Sequence, residues 1–133
     1  SNKYLSTSIS KSLSIVFKEL LVWQKAMDLV EEIYNLTKLL PKDEDFVLKS
    51  QIRRAVLSVP SNIAEGNSRH TTKEYVNFLS IARGSNSEVY TQLLVCNRLG
   101  YLSESQIANA IEQIEEISRM LNAMIAKLSK QKL

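Results

Sequence analysis

Glycine, proline and cysteine are scarce in this sequence, and each scarcity narrows the range of folds. Three glycines and two prolines among 133 residues leave little material for tight hairpins or long loops. The single cysteine, Cys96, has no partner for an internal disulfide, and with the single histidine, His70, it cannot build a metal cluster. We therefore expect no cofactor, no metal site and a reducing compartment such as the cytoplasm.

Long apolar runs are missing too. No stretch reaches the roughly 18 consecutive apolar residues that a membrane-spanning helix requires, so no contact with a membrane is expected. The N-terminal residues also lack the apolar core of a signal peptide. Residues 1–16 are rich in serine and are predicted to form a flexible arm, and residues 17–130 are predicted to form one domain.

Apolar residues recur at spacings of three and four in four separate stretches, which is the pattern of helices with one buried face. The helices are predicted at about residues 18–39, 45–66, 72–99 and from Ser103 onward. The clearest core stripes lie on the second and third helices: Leu48, Ile52, Ala55, Val56, Val59, Ile63; Tyr75, Phe78, Ala82, Ser85, Val89, Leu93 and Cys96. Because the connections are short, we expect an all-α, antiparallel, up-down-up-down four-helix bundle.

Helix ends can be placed from capping residues. Pro41 should end the first helix, and Gly66 with Asn67 is predicted to cap the C-terminus of the second. Thr71 or Thr72 is the expected N-cap of the third helix. Ser103, with Gln106 three residues on, fits the N-cap of the fourth.

Four segments also carry a resemblance: LVWQKAMDLVEEIY (21–34), QIRRAVLSVPSNIAEG (51–66), IARGSNSEVYTQL (81–93) and LGYLS (99–103). In this order they resemble the 23S ribosomal RNA intervening-sequence proteins, which are small four-helix bundles. The resemblance implies a closed homo-oligomer, with a ring-shaped pentamer as the expected form. Related retroelement accessory variability proteins bind nucleic acid and a reverse transcriptase, so RNA or DNA and such a partner protein are the partners that it implies.

One face of the second helix is a candidate oligomer interface. Its residues follow helical spacing roughly opposite the predicted core stripe: Arg54, Ser58, Ser61 and Glu65. The two serines would let another helix approach closely, and the two charged residues could pair with a neighbouring subunit. The alternative is a solvated stripe that contributes under about 1 kcal/mol.

A second set flanks the core stripes and is predicted to form a structural polar network that fixes helix register: Gln51, Arg53, Asn62, Ser85 and Glu88. A carboxylate at the edge of a core needs a partner, and an arginine of the second helix is the expected partner of Glu88. A catalytic role would require a second acid, a nucleophile or a metal in the same place, and no such set is present. We therefore predict no catalytic residues and a protein that is not an enzyme.

The middle of the chain is more basic than the whole. Between residues 49 and 98 the sequence contains seven cationic residues and three carboxylates. The net charge of this stretch is therefore +4, compared with +3 for the full chain. The candidate phosphate contacts are Arg53, Arg54, Arg69, Lys73 and Arg83. The sequence thus predicts a non-enzymatic oligomeric scaffold that binds the backbone of RNA or DNA. The alternative is a protein–protein interaction oligomer without nucleic-acid binding.

Overall fold

The computed structural model describes residue 17 and residues 20–130. Within them the chain forms four α-helices: α1 (Leu21–Thr37), α2 (Leu48–Asn67), α3 (Thr72–Arg98) and α4 (Glu104–Ser129). A short 3-10 turn, Lys42–Glu44, precedes α2. The prediction of an all-α four-helix bundle is confirmed. The predicted arm at residues 1–16 lies outside the described residues.

The helices form a closed ring in which α1 packs on α2, α2 on α3, α3 on α4, and α4 back on α1. Neighbouring helices are antiparallel because the turns between them are short. The apolar face of each helix meets the others at the centre. Side chains that the spacing assigned to the core, such as Leu29, Ile33, Ile52, Val89 and Leu121, have no exposed surface.

The buried face of α3 is wider than its predicted stripe. Tyr75 and Phe78 are only half-buried, whereas Leu79 and Asn86, which lie outside the stripe, are buried. The reason is that α3 packs on both α2 and α4, so its core face covers two seams. The buried amide of Asn86 donates a hydrogen bond from Nδ2 to the carbonyl oxygen of Ile114 at 2.9 Å, which joins α3 to α4.

Both predicted N-caps are confirmed. The Thr71 hydroxyl accepts the backbone N–H of Glu74 at 3.1 Å at the start of α3. At the start of α4, the Ser103 hydroxyl accepts the N–H of Gln106 at 3.2 Å, and the Gln106 side chain accepts the N–H of Ser103 at 2.8 Å. Each cap satisfies backbone donors that the helix leaves unpaired and is worth about 0.5–2 kcal/mol.

The predicted capping role of Gly66 is wrong. Helix α2 continues through Gly66 to Asn67, and the glycine of positive φ is Gly100, at 82°, directly after α3. Gly66 instead lies in the contact between α2 and α3. A Cβ added there would lie 2.7 Å from Phe78 Cβ and 3.0 Å from Tyr75 Cδ1. Glycine is thus required at this position by close helix packing.

Replacing Gly66 with alanine should destabilise the protein by about 1–3 kcal/mol, because the added methyl group forces α2 and α3 apart. Gly84 provides the matched control. It lies in the middle of α3 with no atom within 4 Å of an added Cβ. Gly84→Ala should stabilise the protein by about 0.5–1 kcal/mol, since alanine has the better helix propensity. Urea unfolding followed by circular dichroism, at one protein concentration, measures both; equal stability of the two variants would contradict the packing argument.

Candidate nucleic-acid interface

Arg53 on α2 holds the C-terminal end of α1. Its Nε donates a hydrogen bond to the Thr37 hydroxyl at 2.8 Å, and its Nη2 donates to the carbonyl oxygen of Tyr34 at 3.2 Å. The guanidinium also stacks on the Tyr34 ring, 4.3 Å from its centroid. The last carbonyls of a helix lack intrahelical partners and carry partial negative charge, so a cation here is favourable. Arg53 was predicted both as a phosphate contact and as a member of the structural polar network; in the structure its partners are Thr37 and Tyr34 of α1.

The predicted polar network does not form as one unit. Glu88 is exposed and accepts a hydrogen bond from Gln92 at 3.4 Å, so the expected pair with an arginine of α2 is wrong. Gln51 is exposed as well and accepts a hydrogen bond from Arg54 at 2.6 Å. The physical reason is helical phase: Glu88 is turned about 100° from the buried Val89, which directs it outward.

Two members of the network, Asn62 and Ser85, lie on the seam between α2 and α3, where they are joined through Ser58. The hydroxyls of Ser58 and Ser85 are 2.8 Å apart, and Asn62 donates to both the hydroxyl and the carbonyl oxygen of Ser58 at 2.8 Å. Ser58 is half-buried against α3, so its predicted position opposite the core face is wrong. It lies about 110° from the centre of the core stripe, which is close enough for the neighbouring helix to cover it.

The other three residues of the candidate oligomer interface are exposed on α2. The Ser61 hydroxyl donates to the carbonyl oxygen of Leu57 at 2.8 Å. Glu65 pairs with Arg69 at 2.6 Å. This stripe of Arg54, Ser61 and Glu65 remains available to another molecule, whereas Ser58 is already used within the bundle.

The five candidate phosphate contacts lie in three separate places. Arg53 and Arg54 lie near the start of α2. Arg69 and Lys73 lie at the turn between α2 and α3, roughly 20 Å away along the helix. Arg83 lies on the other seam of α3, where it donates to Asn122 of α4 at 3.0 Å. No single continuous basic patch unites them.

Of the three candidates that are exposed, Arg54, Arg69 and Lys73, Arg69 has the most contacts within the protein. Besides Glu65, it has Glu74 at 3.9 Å, and its guanidinium lies 4.8 Å from the centroid of the Phe78 ring. Two carboxylates neutralise much of its charge, so it offers less to a phosphate than its neighbour Lys73. Lys73 is exposed and has no ion pair with any residue that the structure describes.

An open pocket adjoins the Arg53 end of α2, and sequence reasoning missed it. It has a volume of about 580 Å³ and is lined by eight residues: Tyr34, Asp45, Phe46, Lys49, Ser50, Arg53, Arg54 and Leu57. Phe46 is 94% exposed, the highest value among the large apolar side chains that the structure describes. The sequence did contain an indication of this pocket. Phe46 follows three acidic residues in the short connection before α2 and belongs to no apolar stripe.

The single cysteine of the chain lies in the core. Cys96 is buried, and burial, with a smaller contribution from the charge of Glu44, raises the pKa of its thiol to about 11. The thiol is therefore protonated at neutral pH and a poor nucleophile. No group of three metal-ligating side chains occurs in the described part of the chain. Tyr101 donates its hydroxyl to Glu44 at 2.8 Å, and this bond raises the pKa of Tyr101.

The geometry defines a small antiparallel four-helix bundle with its polar contacts at the helix seams and its unpaired cations outside. The family model described as 23S rRNA-intervening sequence protein matches residues 18–123. The chain belongs to this family.

A solved structure from Bacteroides thetaiotaomicron is similar over most of the chain. It is described as a protein with unknown function from the S23 ribosomal protein family. The two chains are 27% identical and superpose with a TM-score of 0.74, covering 79% of this chain and 98% of the other. A search of curated proteins finds no match. Within residues 20–130, no helix is long and apolar enough to cross a membrane.

Replacing Arg53 with lysine should lower the free energy of unfolding by about 1–3 kcal/mol. Lysine keeps the charge but lacks the planar guanidinium, which donates to the Thr37 hydroxyl and to the carbonyl oxygen of Tyr34 at the same time. The adjacent Arg54→Lys is the matched control and should change stability by no more than about 0.5 kcal/mol, because Arg54 is exposed. Urea unfolding compares the two variants, and an Arg53→Lys protein as stable as Arg54→Lys would refute the structural role.

Proposed function

We propose that this protein is a non-enzymatic oligomeric scaffold that binds the phosphate backbone of RNA or DNA. One observation carries the proposal. Of the seven cationic side chains between residues 49 and 98, only Lys49 and Arg69 have a carboxylate within ion-pair distance among the described residues. The other five, all on α2 or α3, keep an uncompensated positive charge.

The five uncompensated cations are not equivalent. Arg54, Lys73 and Arg98 are exposed and can reach a ligand directly, whereas Arg53 is anchored on α1 and Arg83 on α4. Arg98, at the end of α3, was not among the predicted phosphate contacts. Arg54 and Lys73 are therefore the first candidates for phosphate contacts, and Arg53 and Arg83 contribute mainly through their field. Contacts of this kind neutralise phosphates and position the nucleic acid without reading bases. The family's name, which refers to a ribosomal RNA insertion, supports a nucleic-acid partner.

The proposed assembly uses the exposed stripe of α2. Ser61 is small enough to let another helix approach, while Glu65, one turn further along α2, can pair with an opposite charge of a neighbouring subunit. The resemblance to ring-forming relatives supports a pentamer. We further propose a cytoplasmic protein, where the lone buried thiol of Cys96 would stay reduced.

A protein-interaction oligomer without nucleic-acid binding is the second candidate function, and an apolar groove favours it. The groove lies between α1 and α2, has a volume of about 300 Å³, and is lined by Trp23, Met27, Val30, Leu57, Pro60, Ser61 and Ala64. Apolar concavities of this kind suit side chains of another protein better than phosphates. A partner such as a reverse transcriptase belongs to this candidate as well as to the first.

Binding to a mixed-sequence RNA should weaken steeply between about 50 and 200 mM salt and depend little on sequence. The double variant Arg54→Gln with Lys73→Gln should reduce the slope of log affinity against log salt by about 1–2, because each lost phosphate contact removes nearly one released counterion. Lys38→Gln, at an exposed lysine after α1, is the control and should leave the slope unchanged. Fluorescence anisotropy measures all three; binding that is absent at low salt, or insensitive to salt, would contradict the proposal.

Replacing Ser61 with tyrosine should dissociate the oligomer and leave the helical content intact, because the bulky ring blocks an approaching helix at an exposed position. Ser87→Tyr, at an exposed position of α3, is the matched control and should leave the assembly unchanged. Sedimentation velocity gives the mass, with five times the subunit mass expected for the parent protein. A monomeric parent, or a Ser61→Tyr protein with the mass of the parent, would exclude the α2 interface.

A further inference from the structure

The pocket at the start of α2 combines an exposed aromatic ring with a cationic wall. Its volume of about 580 Å³ falls within the roughly 300–1,000 Å³ of sites for molecules the size of a nucleotide. Lys49, Arg53 and Arg54 line it against one carboxylate, Asp45, which gives a formal balance of +2. Because Lys49 and Asp45 are 3.4 Å apart, the remaining excess lies on the two arginines.

Phe46 is held in place by its backbone although its ring is free. The preceding 3-10 turn is closed by hydrogen bonds from Glu44 N to the carbonyl of Pro41 at 2.9 Å and from Asp45 N to the carbonyl of Lys42 at 3.0 Å. The Glu44 side chain is fixed in turn by the Tyr101 hydroxyl at 2.8 Å. A ring presented on a rigid turn loses little conformational entropy when a flat ligand stacks on it.

The pocket also contains a second aromatic ring, that of Tyr34. The two arginines of the pocket differ in how freely they can contact a ligand. Tyr34 is covered by the guanidinium of Arg53 at 4.3 Å, so this ring and this cation form a fixed wall. Arg54 is exposed and has one hydrogen bond, to Gln51. The pocket thus pairs a free stacking surface, Phe46, with a free cation, Arg54, beside a rigid wall.

We infer that this pocket binds one unstacked base of single-stranded nucleic acid, with Phe46 stacking on the base and Arg54 on the adjoining phosphate. Aromatic rings beside cations are the features by which proteins bind single strands. The bases of a duplex are stacked and paired and cannot reach such a ring. An apolar peptide would match Phe46 but leave the cationic wall without a partner. The inference rests on the proposed function and restricts it to single strands at this place.

The test uses a labelled single-stranded RNA of about 12 nucleotides, within the 4–16 that single-strand-binding folds cover. The same sequence annealed to its complement is the second probe. Phe46→Leu keeps an apolar side chain but removes the ring, and should weaken single-strand binding by about five- to hundredfold while leaving duplex binding unchanged. Phe46→Trp should retain single-strand binding. Leu99→Ala, at another exposed apolar residue, should change neither affinity.

Fluorescence anisotropy at low salt separates the outcomes, with circular dichroism confirming that each variant is folded. Single-strand binding by Phe46→Leu that equals the parent, alongside intact salt-dependent binding, overturns the stacking site and leaves the proposed function standing. An equal loss on single strand and duplex also overturns it, because stacking on an unpaired base cannot weaken a duplex complex. A parent protein that binds neither probe overturns both proposals.

Discussion

The close approach of α2 to α3 is the constraint on which the rest of the surface depends. Gly66 lets α3 come within contact distance of the α2 backbone, and Ser58 and Ser85 keep the seam narrow further along with a hydrogen bond of 2.8 Å. Larger residues at these positions would separate the helices. All seven cations between residues 49 and 98 lie on these two helices or on the turn that joins them, so the width of this seam affects the distance between the cations of α2 and those of α3.

Burial of polar groups at the seams decides which cations remain available. Arg53 loses part of its hydration on α1, and two hydrogen bonds and the face of Tyr34 compensate that loss. Arg69 is compensated by two carboxylates. Neither residue can be withdrawn from these contacts toward a phosphate without leaving a helix end or a carboxylate unpaired. The exposed cations Arg54 and Lys73 have no comparable obligation, which is why side-chain geometry, more than residue type, ranks the candidates.

Periodicity was sufficient to predict the four helices and most of the core, because burial of one face dictates which spacings can occur. The short connections predicted the antiparallel order, and capping residues predicted the N-caps of α3 and α4. It could not predict the partners of side chains at the edges of that face. Glu88 was predicted at the edge of a core stripe and Ser58 opposite one, yet Glu88 is solvated and Ser58 is half-buried, because the neighbouring helix decides which of these positions is covered. Gly66 resembles a C-cap in sequence because close packing and positive φ both favour glycine. Phe46 belongs to no periodic pattern, so only the folded structure reveals that its ring is exposed beside three cations.

The modest net charge of one chain links the proposed assembly to the proposed binding. A chain of net charge +3 offers a few phosphate contacts, and with Arg53, Arg69 and Arg83 engaged in the fold the number of free ones is smaller still. Affinity for a polyanion grows with the number of neutralised phosphates, so a single bundle would bind weakly at physiological salt. A ring repeats each contact once per subunit along the same strand, and the linked contacts raise the overall affinity far above that of one subunit. In the proposed scaffold, binding therefore depends on assembly. The α2 stripe joins the subunits, and the cations beside it bind nucleic acid tightly only when they are repeated around the ring.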